Sequence, residues 1–162
     1  MNFFITALPR SRTAWFANYF STGDVFCYHE AMNNVTCKED YWARMNCPAS
    51  VHVGNSDCGL YMGGYTEGAP LVIIERDIDE VDDALIKQGF PGCRAMLEES
   101  LKALNEMTGL RVLFDTINER LEEIHQFCVT TPFDERRADQ LINLKVELTE
   151  IIPDVKSARV WR

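Results

Sequence analysis

The chain has 162 residues, of which 46% are hydrophobic, and it carries a formal net charge of −9 at pH 7. A chain of this length can bury most of its apolar surface in one core, and no linker or low-complexity segment interrupts it, so we expect a single domain over residues 1–162. The acidic balance argues against nucleic-acid binding, and the lack of a signal peptide or of ~20 consecutive apolar residues predicts a cytoplasmic protein that does not enter the membrane.

The first half of the chain alternates between apolar runs and amphipathic segments. Strands are predicted at residues 2–7, 25–29, 51–56 and 71–75, and helices at residues 12–21 and 38–46. The strand segments are continuous apolar runs with Val and Ile rather than alternating patterns. Such runs favour buried parallel strands, which need helical crossovers between them.

The second half is richer in helix. Leucines at 97, 101 and 104, a second series at 117, 121, 124 and 128, and a third at 138, 141 and 142 each predict an amphipathic helix, and residues 110–114 predict a fifth strand. The fold class is therefore α/β, a three-layer sandwich with a parallel sheet of about five strands. In such folds ligands bind beyond the carboxyl ends of the strands.

Six cysteines lie at positions 27, 37, 47, 58, 93 and 128, without a C-x-x-C pair or a matching histidine spacing. This scatter predicts reduced thiols rather than disulfides or a structural zinc site. No metal site is expected.

The segment after the first strand predicts an anion site. It reads Leu-Pro-Arg-Ser-Arg-Thr-Ala-Trp over residues 8–15 and leads directly into a helix. Backbone N–H groups of such a turn and the positive end of the helix dipole attract phosphate or sulfate, and Arg10 and Arg12 add charge. A Walker A spacing would place Thr13 at the lysine and Ala14 at the magnesium-binding hydroxyl, so metal-dependent NTP chemistry is not expected.

This loop resembles that of the sulfotransferase family, T-Y-P-K-S-G-T-T-W, which belongs to the P-loop NTPase superfamily but has no magnesium site. It is most similar to short bacterial and phage-encoded members with a P-R-S-R-T-A-W loop. Pro9, Arg10, Ser11, Thr13 and Trp15 match the family pattern, while Arg12 and Ala14 replace a glycine and a threonine. The resemblance implies that residues 9–15 bind the donor 3′-phosphoadenosine 5′-phosphosulfate, with Arg10 at the position of the catalytic lysine. The alternative interpretation is that this strand, turn and helix bind no ligand and that the arginines are only exposed to solvent.

The second predicted strand ends in His29 and Glu30. Sulfuryl transfer to a hydroxyl group benefits from a base, and either side chain can accept the proton. The resemblance also implies a base after this strand, and which of the two acts is left open. The alternatives are that His29 bonds a neighbouring loop and that Glu30 caps the next segment.

The fourth predicted strand ends in Glu-Arg-Asp, and this resembles a second signature of the family, Arg-Asp-Pro with a serine eight residues after the arginine. Arg76 matches, whereas Ile78 replaces the proline and Ala84 the serine. The resemblance implies that Arg76 binds the 3′-phosphate of the donor. The serine that binds the same phosphate in the family is missing. The acidic residues that follow are predicted to form the first turn of a helix.

Ser56 and Asp57 follow the third predicted strand, and acceptor binding and helix capping are equally supported for them. Arg136 and Arg137 match no family motif, and surface salt bridges are their default role. His52 and His125 are predicted to be structural.

We therefore expect a sulfotransferase-like enzyme that transfers a sulfuryl group from 3′-phosphoadenosine 5′-phosphosulfate to a hydroxyl-bearing small molecule. A second hypothesis is a catalytically inactive module that binds a phosphate, a nucleotide or a protein partner, which the loss of the serine at position 84 would allow. A third, a nucleotide or nucleoside kinase, needs the Lys-Ser/Thr pair that the loop lacks.

Overall fold

The computed structural model describes residues 1–33, 35–46 and 52–142. It contains five strands and six α-helices within these ranges. The strands are β1 (Asn2–Ala7), β2 (Val25–His29), β3 (His52–Ser56), β4 (Leu71–Glu75) and β5 (Leu110–Leu113). The helices are α1 (Thr13–Phe20), α2 (Lys38–Met45), α3 (Ile78–Lys87), α4 (Arg94–Glu106), α5 (Leu121–Cys128) and α6 (Glu135–Ile142).

The five strands form one sheet in the order β2-β3-β1-β4-β5, and all neighbouring strands are parallel. This confirms the predicted α/β class with a parallel sheet of about five strands. The strand β1 is central, with β3 and β4 on either side, so β2 lies next but one to β1. In register, Ser56 lies beside both Ile5 and His29. The carboxyl ends of β1, β2 and β3 therefore meet at one edge of the sheet.

Alternate residues of the strands divide the core into two layers. Phe3, Ile5 and Ala7 of β1 belong to one buried cluster, which also contains side chains of α1, α5 and α6. Phe4, at the next position of β1, belongs to a second cluster with side chains of α2, α3 and α4. Helices thus cover both faces of the sheet, as expected for a parallel sheet whose strands are apolar on both sides.

The contact between β1 and β3 is unusually close at Gly54. A Cβ atom at this position would lie 2.2 Å from Cζ of Phe3, whose side chain is fully buried. Only glycine leaves room for the ring, which also packs on Phe20 of α1 with centroids 4.9 Å apart. This packing fixes how α1 sits on the sheet.

The helix predicted from the apolar spacing 117–128 is shorter than expected. It begins at Leu121, and Ile117 lies in a turn between the 3-10 helix Phe114–Thr116 and α5. Ile117 is nevertheless fully buried. Arg120 bonds the turn to β5, because its Nη1 donates to the carbonyl of Arg111 at 2.8 Å. The apolar residues therefore keep a helical spacing in a segment that is a turn and not a helix.

Several smaller expectations can be compared with the structure. The cysteines at 37, 58, 93 and 128 are free thiols, and Cys47 and the predicted strand start at residue 51 lie outside the described residues. Within the described ranges, no helix combines the length and apolarity that a membrane crossing needs. In the same ranges, no group of three or more His, Cys, Asp or Glu side chains is placed to hold a metal ion.

Candidate anion-binding site

The loop between β1 and α1 has a backbone suited to an anion. Arg10 and Arg12 adopt left-handed conformations, with φ of 65° and 64°, which are uncommon outside glycine. Arg12 is the N-cap of α1, and its side chain makes no capping hydrogen bond. Backbone N–H groups at the start of α1 therefore receive no acceptor from the N-cap side chain, and a bound anion can supply one.

Three arginines converge at this loop. Arg76 directly follows β4, the neighbour of β1, and its Nη1 donates a hydrogen bond to the carbonyl oxygen of Arg10. The pKa of Arg10 is lowered by burial and then by the charge of Arg76. Burial and Arg76 also lower the pKa of Arg12, against an opposing effect of Asp115. The charge of Arg76 is thus close enough to act on both Arg10 and Arg12.

Mostly neutral groups hold these arginines in place. The ring of Phe114 lies 5.5 Å from the guanidinium carbon of Arg12 and 4.1 Å from that of Arg76. Arg12 Nη1 donates to Asn118 Oδ1 at 2.6 Å. The Gln88 amide oxygen accepts from both Nη atoms of Arg10, at 2.8 and 3.1 Å, once the amide is turned to present it.

Sequence reasoning missed these supporting residues. Asn118 and Gln88 lie in a turn and at a helix end, where no motif marks them. Phe114 directly follows β5, so the rule that ligands collect beyond strand ends could have identified it. Among the described residues, the carboxylate that forms an ion pair with this cluster is the exposed Glu80, 3.3 Å from Arg76 Nε.

A second group of side chains lies at the end of β2 and connects to the same loop. His29 Nε2 is 3.3 Å from Thr13 Oγ1, at the start of α1, and 3.7 Å from Glu30 Oε1. Glu30 has a left-handed backbone, with φ of 52°, and its Oε2 accepts from Asn33 Nδ2 at 2.6 Å. The structure thus places a hydroxyl, an imidazole and a carboxylate in sequence beside the loop.

Ser56 and Asp57 lie at the end of β3, between these two groups. Asp57 is 5% exposed, and its Oδ1 accepts from the backbone N–H of Gly59 at 2.8 Å. Its Oδ2, with Ser56 Oγ and Thr6 Oγ1, has no hydrogen-bond partner among the described residues. Burial raises the pKa of Asp57, and the nearby charge of Glu30 adds to this effect. Burying an incompletely bonded carboxyl is costly, and such groups are common at functional sites.

Three of the residues implied by the resemblance are buried beneath the loop surface. Trp15 is buried, stacks on Tyr19 with centroids 5.3 Å apart, and donates from Nε1 to the carbonyl of Leu141 at 3.1 Å. Ala14 is buried, and Ser11 Oγ bonds the carbonyl of Pro9 at 3.4 Å within the loop. The contacts of these residues are thus with the protein itself, and they stabilise the loop and α1.

The remaining candidates are placed away from the loop. Arg137 donates to the carbonyl oxygens of Asn18, Tyr19 and Ser21, so it binds the carboxyl end of α1 rather than a surface carboxylate, and Arg136 is exposed. The acidic helix start is confirmed, because Asp77 is the N-cap of α3 and accepts from two backbone N–H groups.

The two other histidines make hydrogen bonds within the protein. His125 Nδ1 lies 3.1 Å from the Tyr19 hydroxyl, and its Nε2 lies 2.9 Å from the carbonyl of Thr131. His52 Nε2 lies 3.0 Å from Thr130 Oγ1. Both rings are buried, as expected of structural histidines.

Comparison of the chain with models of known protein families, with curated proteins and with solved structures found no match. Function must therefore be argued from the site itself. The site combines three arginines and free helix amides, which suit a phosphate or sulfate group. An imidazole and two carboxyl groups, which can move protons, lie at the ends of the adjacent strands.

Proposed function

We propose that the protein transfers a sulfuryl group from 3′-phosphoadenosine 5′-phosphosulfate to the hydroxyl group of a small molecule. The observation that carries this proposal is the convergence of Arg10, Arg12 and Arg76 on one loop of a chain with a net charge of −9. The likeness of residues 9–15 and of Glu75-Arg76-Asp77 to the two sulfotransferase signatures supports this donor over other phosphate compounds.

In this proposal the loop binds the 5′-phosphosulfate. The acceptor oxygen attacks sulfur, the bond between sulfur and the bridging phosphate oxygen breaks, and adenosine 3′,5′-bisphosphate leaves. Arg10 and the amides at the start of α1 stabilise the charge that develops on the bridging oxygen. Arg76 binds the 3′-phosphate, as the resemblance implies.

The acceptor's proton goes to His29, with Glu30 as the alternative base. His29 suits this role because its Nε2 already lies within hydrogen-bonding distance of Thr13 at the loop. Glu30, 3.7 Å away, stabilises the imidazolium that forms. No metal ion is required in this scheme.

A second candidate is an anion-binding module without catalysis. Two observations favour it: Ala84 replaces the serine of the second signature, and the Arg76 guanidinium already contacts the Arg10 carbonyl and the Phe114 ring. A kinase is the weakest candidate because Ala14 occupies the position of the magnesium-binding hydroxyl.

Thermal unfolding with added nucleotides tests these alternatives. The proposal expects adenosine 3′,5′-bisphosphate to stabilise the protein without magnesium, by about 2.7 kcal/mol at ~100-fold excess over Kd. Arg10→Ala and Arg76→Ala should remove this effect, whereas Arg94→Ala, which changes an arginine of α4, should keep it.

Each other outcome points to a different function. Stabilisation only by magnesium-ATP would contradict the proposal in favour of a kinase. Binding of the bisphosphate without transfer from the phosphosulfate to any of a panel of alcohols and phenols would favour the inactive module. Conversion of the donor to the bisphosphate with a sulfated product, lost in His29→Ala, would support His29 as the base.

A further inference from the structure

A cavity of about 300 Å³ lies beside the segment that carries His29 and Glu30. Its lining residues include Met32, Val35, Tyr41, Met62 and Gly64, together with Lys38. This volume is at the lower end of the ~300–1,000 Å³ of small-molecule sites. The cavity therefore suits a compact ligand.

Hydrogen bonds connect residues that line the cavity to one another and to β3. The Tyr41 hydroxyl donates to the carbonyl of Gly64 and accepts from Asn55 Nδ2 at 3.3 Å. Asn55 Oδ1 in turn accepts from the backbone N–H of Ala31 at 3.1 Å. Because Asn55 belongs to β3, these bonds tie the cavity to the edge of the sheet where the anion loop lies.

Two glycines, at positions 63 and 64, bring the chain close to Met32. Gly63 has a φ of 97°, which favours glycine, and it turns the chain back after the 3-10 helix Leu60–Met62. A Cβ atom on Gly64 would lie 2.4 Å from the sulfur of Met32. The methionine thus closes one side of the cavity, and its flexible side chain can adapt to a ligand.

The lining is mainly apolar, with Thr36 and Cys37 as polar members and Lys38 as the one charged residue among those that line it. Lys38 makes no hydrogen bond or ion pair with any other described residue, while its neighbour Asp40 is bonded by the Thr36 hydroxyl at 2.6 Å. Met62 is 66% exposed although it is a large apolar side chain. An apolar body with a negatively charged group complements both features.

The cavity is also close to the proposed base. Met32 follows Glu30 by two residues, and this separation limits their Cα atoms to ~7 Å. A ligand in contact with Met32 therefore lies beside the segment that carries His29 and Glu30.

We propose that this cavity binds the acceptor, and that the acceptor is a small hydroxylated carboxylic acid. Its carboxylate pairs with Lys38, its hydrocarbon body lies between Met32, Tyr41 and Met62, and its hydroxyl group faces His29 and Glu30. The role as acceptor rests on the proposed function, whereas the binding site itself does not.

Methyl spectra of the methionines test the binding site directly. The protein is labelled with ¹³C at its methionine methyl groups and titrated with 3-(4-hydroxyphenyl)propionate. The Met32 and Met62 signals should shift along a saturable curve. Met96, an exposed methionine of α4, should not. Equal shifts of all exposed methionines, or no shift of Met32 and Met62, would overturn the proposal.

Matched ligands and variants test the two ends of the acceptor. Lys38→Ala should weaken binding of the hydroxy acid about fivefold and leave binding of 4-ethylphenol, which lacks the carboxylate, unchanged. Lys102→Ala, at an exposed position of α4, should leave both unchanged. Equal weakening of acid and phenol by Lys38→Ala would contradict the proposed charge pair.

These measurements need no sulfate donor, so their result is separable from that of the proposed function. Saturable shifts without any sulfated product would leave the site valid and the transfer reaction wrong. Sulfation of other alcohols, with no response of Met32 and Met62 to the hydroxy acid, would leave the reaction valid and this acceptor site wrong.

Discussion

Arg10 and Arg12 of the anion loop differ from Arg94 and Arg111 in what neutralises their charge. Arg94 on α4 pairs with Asp79 and with Glu98, and Arg111 on β5 pairs with Glu75 at 2.8 Å. Neither Arg10 nor Arg12 makes an ion pair with any carboxylate of the described chain. The chain has 25 acidic residues and 16 lysines and arginines, so a shortage of acids does not explain this contrast.

The partners of the loop arginines explain how the contrast is maintained. Arg10 meets an amide oxygen of Gln88, and Arg12 meets Asn118 and the ring of Phe114. Neutral partners position a guanidinium without cancelling its charge. An incoming phosphate or sulfate can therefore pair with the loop without first breaking an ion pair.

The largest effect is expected for an arginine that serves the fold. Arg137→Ala removes hydrogen bonds to three carbonyl oxygens at the end of α1, so we expect the free energy of unfolding to fall by about 2–3 kcal/mol. Urea denaturation measures this, with the exposed neighbour Arg136→Ala as control. Similar losses for both variants would show that the carbonyl contacts contribute little.

A smaller effect is expected for Asp57, a buried carboxyl group that, like Arg10 and Arg12, makes no ion pair with a described residue. Asp57→Asn removes a buried charge and should raise the free energy of unfolding by about 1 kcal/mol at pH 7. The pKa of Asp57 is raised above its ordinary value of 3.8 in the folded protein. The folded state therefore binds this proton more tightly, and the charge destabilises the fold as the pH rises through the raised pKa.

The pH dependence provides the check. The difference between Asp57→Asn and the wild type should be full above the raised pKa and should disappear as the pH falls below about 4, where both states carry the proton. Urea denaturation at several pH values measures it. A difference that stays constant from pH 7 to pH 4 would contradict burial of an ionised carboxylate.

The smallest effect is expected within the loop. Arg10→Gln removes a charge that Arg76 repels and that solvent partly screens, so stability should rise by at most a few tenths of a kcal/mol, and by less in high salt. Arg94→Gln, which removes a paired charge, should show no such rise. Thermal unfolding at low and high ionic strength measures both. A marked loss of stability in Arg10→Gln would mean that the loop arginines serve the fold.

Much of the fold followed from local patterns. The apolar run at 71–75 and the turn after residue 7 were sufficient to predict β4, β1 and the loop, because a buried parallel strand needs no partner information to be recognised. The placement of His29, Asp57 and Arg76 at strand ends is predictable for the same reason, whereas their roles stay predictions.

The remainder depends on contacts between distant residues. Asn118 reaches Arg12 across 106 positions of sequence, and no local pattern marks such a pair. The strand order, in which β3 lies between β2 and β1, is likewise set by the packing of whole elements. The apolar spacing at Ile117 was misleading because a tight turn and a helix bury residues at the same interval.

The close contact of Gly54 with Phe3 limits how this protein can evolve. The ring fills the space that any side chain at position 54 would need. A relative with a larger residue at 54 must therefore carry a smaller one at 3. Either change alone disturbs the packing, because the first creates a clash and the second leaves a void. We therefore expect positions 3 and 54 to covary among homologous chains.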